Sequence, residues 1–193
     1  MAKAFTCERD GAVIRGESDD ELVANVERHV RRSHPDLVEK LSRADILAAA
    51  TDTPGNKDIV LRWAEEVLNQ GRIGVVDELF ADDFVWQMPF SPEPLHGPDA
   101  MKQTVEAFLV AFPDFAVEIE DVLAEGDKVA LKYTASGTND GELMGAAATG
   151  ESARWPVMHV FTLRDGKIVN DVTVLDRLRV LEQLGRAESL TRA

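Results

Sequence analysis

The sequence predicts an α+β fold: helices packed on a curved, mainly antiparallel sheet, preceded by a small ββαα segment. Three observations carry this. Helical apolar spacing dominates residues 57–112, and period-two alternation dominates residues 115–175. A Thr-Pro-Gly-Asn cluster at 53–56 separates both from an N-terminal stretch that has its own caps and turn. The expected organisation is a small domain at residues 1–50, a linker at Ala48–Lys57 and a larger domain at residues 55–187.

The N-terminal segment opens with two short strand candidates, Lys3–Cys7 and Ala12–Arg15, around Arg9-Asp10-Gly11, where Asp-Gly suits a tight turn. Ser18-Asp19-Asp20-Glu21 reads as a capping box, and Leu22, Val26, His29 and Val30 follow on one helical face. Pro35 bars continuation. A second box, Ser42-Arg43-Ala44-Asp45, starts a short helix through Ile46 and Leu47. At about 50 residues such a unit has a marginal core, so it is expected to lean on the larger domain or on a second chain. Cys7, His29 and His34 form a hairpin-and-helix arrangement like that of a small zinc finger. A structural zinc site takes four ligands, however, and no second cysteine is present. Asp10 or Glu8 could complete the set, but the spacing does not require it, and a core role for His29 is the commoner one. The expectation is no metal and no cofactor.

In the larger domain Val60, Trp63, Ala64, Val67 and Leu68 define an amphipathic helix over Lys57–Asn69, ended by Gly71. A second helix is expected over Ile73–Phe80 and a first strand over Phe84–Phe90, broken by Ser91-Pro92-Glu93-Pro94. Gly97-Pro98-Asp99 opens a third helix that buries Met101, Val105, Phe108, Leu109 and Phe112. Strands follow over Phe115–Leu123, Lys128–Ser136, Arg154–Leu163 and Lys167–Leu175, with turns at Gly126-Asp127 and Asp165-Gly166. A closing helix spans Arg177–Leu184, ended by Gly185.

Bulk properties narrow the function classes. The chain has 193 residues, 45% hydrophobic and 29% charged, which is globular composition. Its formal charge of -14 repels a phosphate backbone, so nucleic acid is not an expected partner. No apolar run is long enough to span a bilayer, and no apolar leader opens the chain. Cys7 is the single cysteine, so no disulfide forms within the chain. A cytoplasmic location fits these features.

Alternation selects the candidate site. On the strand Arg154–Leu163, Trp155, Val157, His159, Phe161 and Leu163 share a face, so His159 sits in an apolar row. On the last strand Ile168, Asn170, Val172, Val174 and Asp176 share a face. If both rows face a cavity between helices and sheet, a carboxylate and an imidazole meet in an apolar pocket. Desolvation there makes the carboxylate a stronger base, suited to proton abstraction beside a carbonyl. Asp176 also precedes the closing helix, where it would serve as N-cap, and a histidine on an apolar face is often an ordinary core residue. Trp63, Trp86, Trp155, Met88 and Tyr133 are candidates to line the pocket, or to fill the core.

Over residues 56–185 the chain resembles the SnoaL-like polyketide cyclase and ester cyclase family, within the nuclear-transport-factor-2-like superfamily. The resemblance runs through NKDIVLRWAEEVLNQGRIGVVDELFADDF, LHGPDAM, FPDFAVEIEDVLAEGDKVALKYTASGT, GELMGAAATGESARWPVMHVFTLRDGKIV and DRLRVLEQLG. It implies a cone-shaped α+β domain with an enclosed pocket and cofactor-free acid/base chemistry of the aldol type. It further implies that Asp176, just before the final helix, is the acid/base and that His159 assists it. Where characterised cyclases place an Asn on the first strand and a Gln two residues before the His, this chain has Trp86 and Val157, which implies a more apolar substrate. A small apolar molecule and a second copy of the chain are the expected partners. The alternative is a non-catalytic binding or assembly module on the same fold. Residues 4–49, through FTCERDG, RGESDDEL and His-Val-Arg-Arg-Ser-His, resemble a short bacterial family known as domain of unknown function 1059. Members of that family often carry a second hairpin cysteine.

Overall fold

The computed structural model describes residues 2–143 and 145–186; residue 187, the expected end of the larger domain, lies outside them. In the N-terminal unit β1 (Ala2–Thr6) pairs antiparallel with β2 (Val13–Gly16), and α1 (Asp19–Ser33) packs over them. Ser18 caps α1 by accepting from the Glu21 N–H. The second helix, α2 (Arg43–Ala49), starts from a reciprocal box between Ser42 and Asp45. Phe5, Cys7, Leu22, Val23, Val26, Val30 and Ile46 form a small core of their own.

The expected linker is more ordered than its composition suggests. α2 runs to Ala49, and Thr51–Thr53 forms β3, a third strand on the far side of β1. The unit is therefore ββααβ. It touches the larger domain. Glu17 Oε1 accepts from the Asn56 N–H, and Arg15 Nη2 donates to the Asp165 carbonyl at 3.4 Å.

The larger domain begins with α3 (Asn56–Arg62), which continues without a break into wider π-helical turns at Trp63–Asn69. This π segment buries Trp63, Ala64, Val67 and Leu68. The expected second helix is shorter: a 3₁₀ turn at Ile73–Val75 leads into α4 (Val76–Leu79). β4 (Phe80–Gln87) starts four residues earlier than expected. β5 (Leu95–His96) and α5 (Gly97–Ala111) follow, with Pro98 in the first turn. β6 (Ala116–Glu125), β7 (Lys128–Thr138), β8 (Ser152–Arg164) and β9 (Lys167–Leu175) form the meander, and α6 (Arg177–Gln183) closes the domain.

These strands make one six-stranded sheet, in the order β5-β4-β9-β8-β7-β6. All neighbours are antiparallel except β4 and β9. One face packs on α3 and α5 around a core that includes Trp63, Phe80, Phe84, Met101, Phe112, Leu131, Phe161 and Ile168. Along β8 every second residue from Ala153 to Leu163 is buried, as the alternation predicts.

β9 departs from the simple pattern. Leaving the tight turn, Lys167 pairs with Arg164 and Ile168 with Leu163, but the next partners are Asn170 and Thr162. Val169 is thus an extra residue, a bulge that rotates the rest of the strand by half a period. Ile168 is buried, but beyond the bulge Asp171 and Thr173 face inward and Val174 is 61% exposed. The inward row expected through Asn170, Val172, Val174 and Asp176 is corrected: after the bulge these residues occupy the other face.

Candidate functional site

The bulge sets up a row of polar side chains across one face of the sheet. The Cα partners show the lattice: His159 on β8 lies opposite Thr173 on β9 and opposite Leu131 on β7, with Tyr133 two residues further on. Asp171 lies opposite Phe161, diagonal to His159, and on its other side it pairs with Trp86 of β4. The row spans four adjacent strands, with Trp86 from β4, Asp171 and Thr173 from β9, His159 from β8 and Tyr133 from β7.

The side chains join into a single hydrogen-bonded chain. The Asp171 carboxylate is fully buried, with Oδ2 2.8 Å and Oδ1 3.1 Å from His159 Nδ1. A carboxylate only accepts, so Nδ1 carries the hydrogen and donates to it. The other ring nitrogen, Nε2, is 3.0 Å from the Tyr133 hydroxyl, which donates to its lone pair. Thr173 Oγ1 donates to Asp171 Oδ2 at 3.3 Å and accepts from Trp86 Nε1–H at 2.7 Å. His159 is wedged by rings: Phe161 stacks parallel at 5.2 Å and Trp63 meets it edge-on at 5.1 Å.

Burying a carboxylate costs several kcal/mol unless its oxygens are satisfied. Here the imidazole N–H and the threonine hydroxyl satisfy them, and tryptophan and tyrosine hold those two in turn. Burial pushes the Tyr133 phenol well above its ordinary pKa, and the nearby Asp171 charge pushes in the same direction. The phenol therefore stays protonated and available as a donor.

The row forms one wall of a cavity of about 70 Å³, several times the space a single water needs. The opposite wall comes from the π turns and α5, through Trp63, Met101, Val105 and Phe108. The cavity is strongly apolar, and its lining residues with polar side-chain groups are Tyr133, His159, Thr104, Thr173 and the indoles Trp63, Trp86 and Trp155. Asp171 stands behind His159 and is not part of the lining. Trp63 Nε1 is buried and has no hydrogen-bond partner among the described residues. An acceptor carried in by a ligand would satisfy it.

Seven of the eight residues singled out in the sequence meet here: Trp63, Trp86, Met88, Tyr133, Trp155, Val157 and His159 all line this cavity. Asp176 does not. It is exposed and caps α6, with Oδ1 accepting from the Arg179 N–H at 3.0 Å. Its expected place in the pocket is corrected: the bulge turns that row outward, and the residue that follows the strand becomes the N-cap. The buried carboxylate partner of His159 is Asp171, which sequence reasoning missed together with Thr173. Their signal was an Asp-x-Thr alternation two residues past the Ile-Val pair, visible only if the bulge is allowed for.

The SnoaL-like polyketide cyclase family model matches residues 58–184, well over half of the chain. The chain belongs to the SnoaL-like polyketide cyclase family. Solved structures agree. IdmH of Streptomyces antibioticus, described as a putative polyketide cyclase, is 28% identical with a TM-score of 0.58, and the match covers 66% of this chain and 96% of that one. AclR of Streptomyces galilaeus, described as a putative hydroxylase, is also 28% identical with a TM-score of 0.58, covering 67% and 94%. A SnoaL-like protein from Jannaschia, at 23% identity and a TM-score of 0.62 over 69% and 97%, shares the fold. A search of curated proteins returns no match. The family match leaves the N-terminal unit outside it.

Tyr133 is the only tyrosine in this family member, so its ionisation can be read without interference. A raised phenol pKa means the neutral form is favoured by folding; that stabilisation is complete below the unfolded value near 10 and is lost as pH rises above it. Ultraviolet titration should show no tyrosinate at about pH 10 while the fold is intact. Tyrosinate should appear together with unfolding at higher pH. A normal midpoint near 10 in the folded protein would put the phenol in water, against this geometry.

Proposed function

We propose that this family member is an acid/base enzyme of the cyclase type, acting on a small apolar carbonyl compound enclosed in the cavity. The observation that carries this reading is the unbroken chain from the buried Asp171 carboxylate, through His159, to the Tyr133 phenol at the wall of an otherwise apolar pocket. His159 is the proton-transferring group, Tyr133 the donor to the substrate oxygen, and Asp171 a positioning residue that holds the imidazole tautomer and steadies its charged form.

The steps need only these groups. A substrate carbonyl oxygen takes the Tyr133 hydrogen bond, which frees the Nε2 lone pair. Nε2 removes a proton from the carbon beside that carbonyl, and the resulting enolate oxygen is held by the Tyr133 O–H, with Trp63 Nε1–H as a second donor. The enolate carbon attacks a second carbonyl of the same molecule, forming a carbon–carbon bond and an alkoxide. The imidazolium Nε2–H returns its proton to that alkoxide, so the product is a cyclic isomer of the substrate. Trp86 supports the apolar substrate reading in a particular way. It stands where characterised cyclases place an Asn, and its one polar atom is engaged with Thr173, which leaves its ring to the cavity.

Exchange of the acidic C–H of a small aryl β-diketone in deuterated water, followed by proton NMR, tests the base. The wild type should exchange well above the solvent background. His159→Gln and Asp171→Asn should each lower the rate by about 10²–10⁴-fold, whereas Asp176→Asn should leave it near wild type. A wild type that binds the diketone without exchanging it would instead make this a binding module. Loss of exchange in Asp176→Asn alone would restore that residue as the base.

We further propose that two copies pair through the outer face of the sheet. Met158 lies opposite Val174, and next to them Val160 lies opposite Val172. Met158, Val160 and Val174 are 45%, 39% and 61% exposed, forming an apolar patch on an acidic molecule. Sedimentation should find a dimer for the wild type and a monomer for Val174→Asp. A wild-type monomer at micromolar concentration would contradict the pairing.

A further inference from the structure

The N-terminal unit holds a cluster of side chains that the pocket chemistry does not use. After β1 the chain turns through residues 7–12, closed by Cys7 N–H to the Ala12 carbonyl and Gly11 N–H to the Cys7 carbonyl, both at 2.8 Å. This turn carries Cys7 and Asp10. The far end of α1 lies over it and brings His29 in its last turns and His34 at its C-cap. One ligating atom from each of Cys7, Asp10, His29 and His34 lies within 4.8 Å of the other three. We propose that these four residues form a Zn²⁺ site that ties the hairpin to the end of α1.

The donor set fits that ion. A thiolate, two imidazole nitrogens and a carboxylate oxygen are the ligand types zinc takes in four-coordinate structural sites, and sulfur with imidazole disfavours magnesium or calcium. The geometry is close to what the ion needs. With bonds of roughly 2.0–2.3 Å, the edges of a zinc tetrahedron are about 3.3–3.8 Å. Asp10 Oδ2 stands 3.4 Å from His29 Nε2 and 3.0 Å from His34 Nε2. Small side-chain rotations open the group to a tetrahedron.

Two further observations point to a ligand. His29 Nε2 is buried with no hydrogen-bond partner among the described residues, although it faces the Asp10 carboxylate. A cation at the centre of the cluster would take its lone pair. Asp10 Oδ1 is already fixed by the Ala12 N–H at 3.0 Å, which leaves Oδ2 aimed at the cluster, as an outer-shell bond orients a metal ligand. Charge also balances, because Zn²⁺ with one thiolate, one carboxylate and two neutral imidazoles is neutral overall. The ion displaces the Cys7 thiol proton, and His34 exchanges its hydrogen bond to Asp10 for the metal bond. Four protein donors close the coordination shell, so the site is structural. It staples a unit whose own core comprises seven buried residues among the described ones.

The test uses the full chain, stripped with a chelator and checked for folding by circular dichroism. It is titrated with Co²⁺ as an optical stand-in, and the Co²⁺ is then displaced with Zn²⁺. The expected result is one Co²⁺ per chain, with intense visible bands of tetrahedral cobalt and a thiolate-to-cobalt band in the near ultraviolet. Cys7→Ser should abolish the thiolate band, and His34→Gln should weaken binding by about 10-fold or more. The wild-type titration decides even if a variant misfolds. A folded wild-type chain that takes up neither ion, or that gives the weak bands of octahedral cobalt without a thiolate band, overturns the site. Unchanged spectra and affinity in both variants would do the same.

Discussion

The buried carboxylate of Asp171 is the constraint that organises the larger domain. A charge with no exposure is tolerable only where each oxygen meets a donor, and the donors here come from two strands. His159 and Thr173 satisfy Asp171. Tyr133 and Trp86, one strand further out on either side, satisfy them. Four strands must therefore hold register to within a fraction of a residue. A one-residue slip of β9 would turn Asp171 out to solvent and bring a valine in. Removing one partner of a buried pair of this kind typically costs about 3–5 kcal/mol, so the polar row specifies the sheet as much as it depends on it.

Much of the architecture is legible from residue patterns, and the misreadings have identifiable causes. β8 is regular, so period two placed His159 and its apolar neighbours on the pocket face. The pocket walls were legible for the same reason: Trp63 follows helical spacing and Tyr133 lies on a regular strand. β9 misled for two reasons. Its bulge at Val169 leaves no clear trace in composition, and the faces beyond it are inverted in polarity. The inward face carries Asp171 and Thr173, and the outward face carries Val172 and Val174. A pattern reading assumes apolar residues point to the core; it fails where a site puts polar groups inside and an apolar surface outside. Asp176 satisfied both a period-two row and a capping position, and only the second role survives in three dimensions.

The N-terminal unit teaches a related lesson about range. Its caps and turn are local signals, and the Ser18 and Ser42 caps appear where the sequence places them. β3 is not local. It exists because Thr51–Thr53 finds the free edge of β1, nearly fifty residues earlier, and nothing in its own composition announces that. The Cys7, Asp10, His29 and His34 cluster lies between these cases: the hairpin-and-helix pattern suggests the group, but spacing alone does not choose Asp10 over Glu8, and the packing of α1 on the hairpin does. Pairing at a distance is set by tertiary packing, which a single sequence does not display.

In the proposed mechanism Asp171 fixes the His159 tautomer and leaves Nε2 for proton transfer. Nitrogen-15 labelling of histidine, read by NMR on the folded protein, tests it most directly. His159 should carry its hydrogen on Nδ1, with a strongly downfield proton that disappears in Asp171→Asn and persists in Asp176→Asn. A hydrogen on Nε2 alone, or a downfield proton indifferent to Asp171, would contradict it.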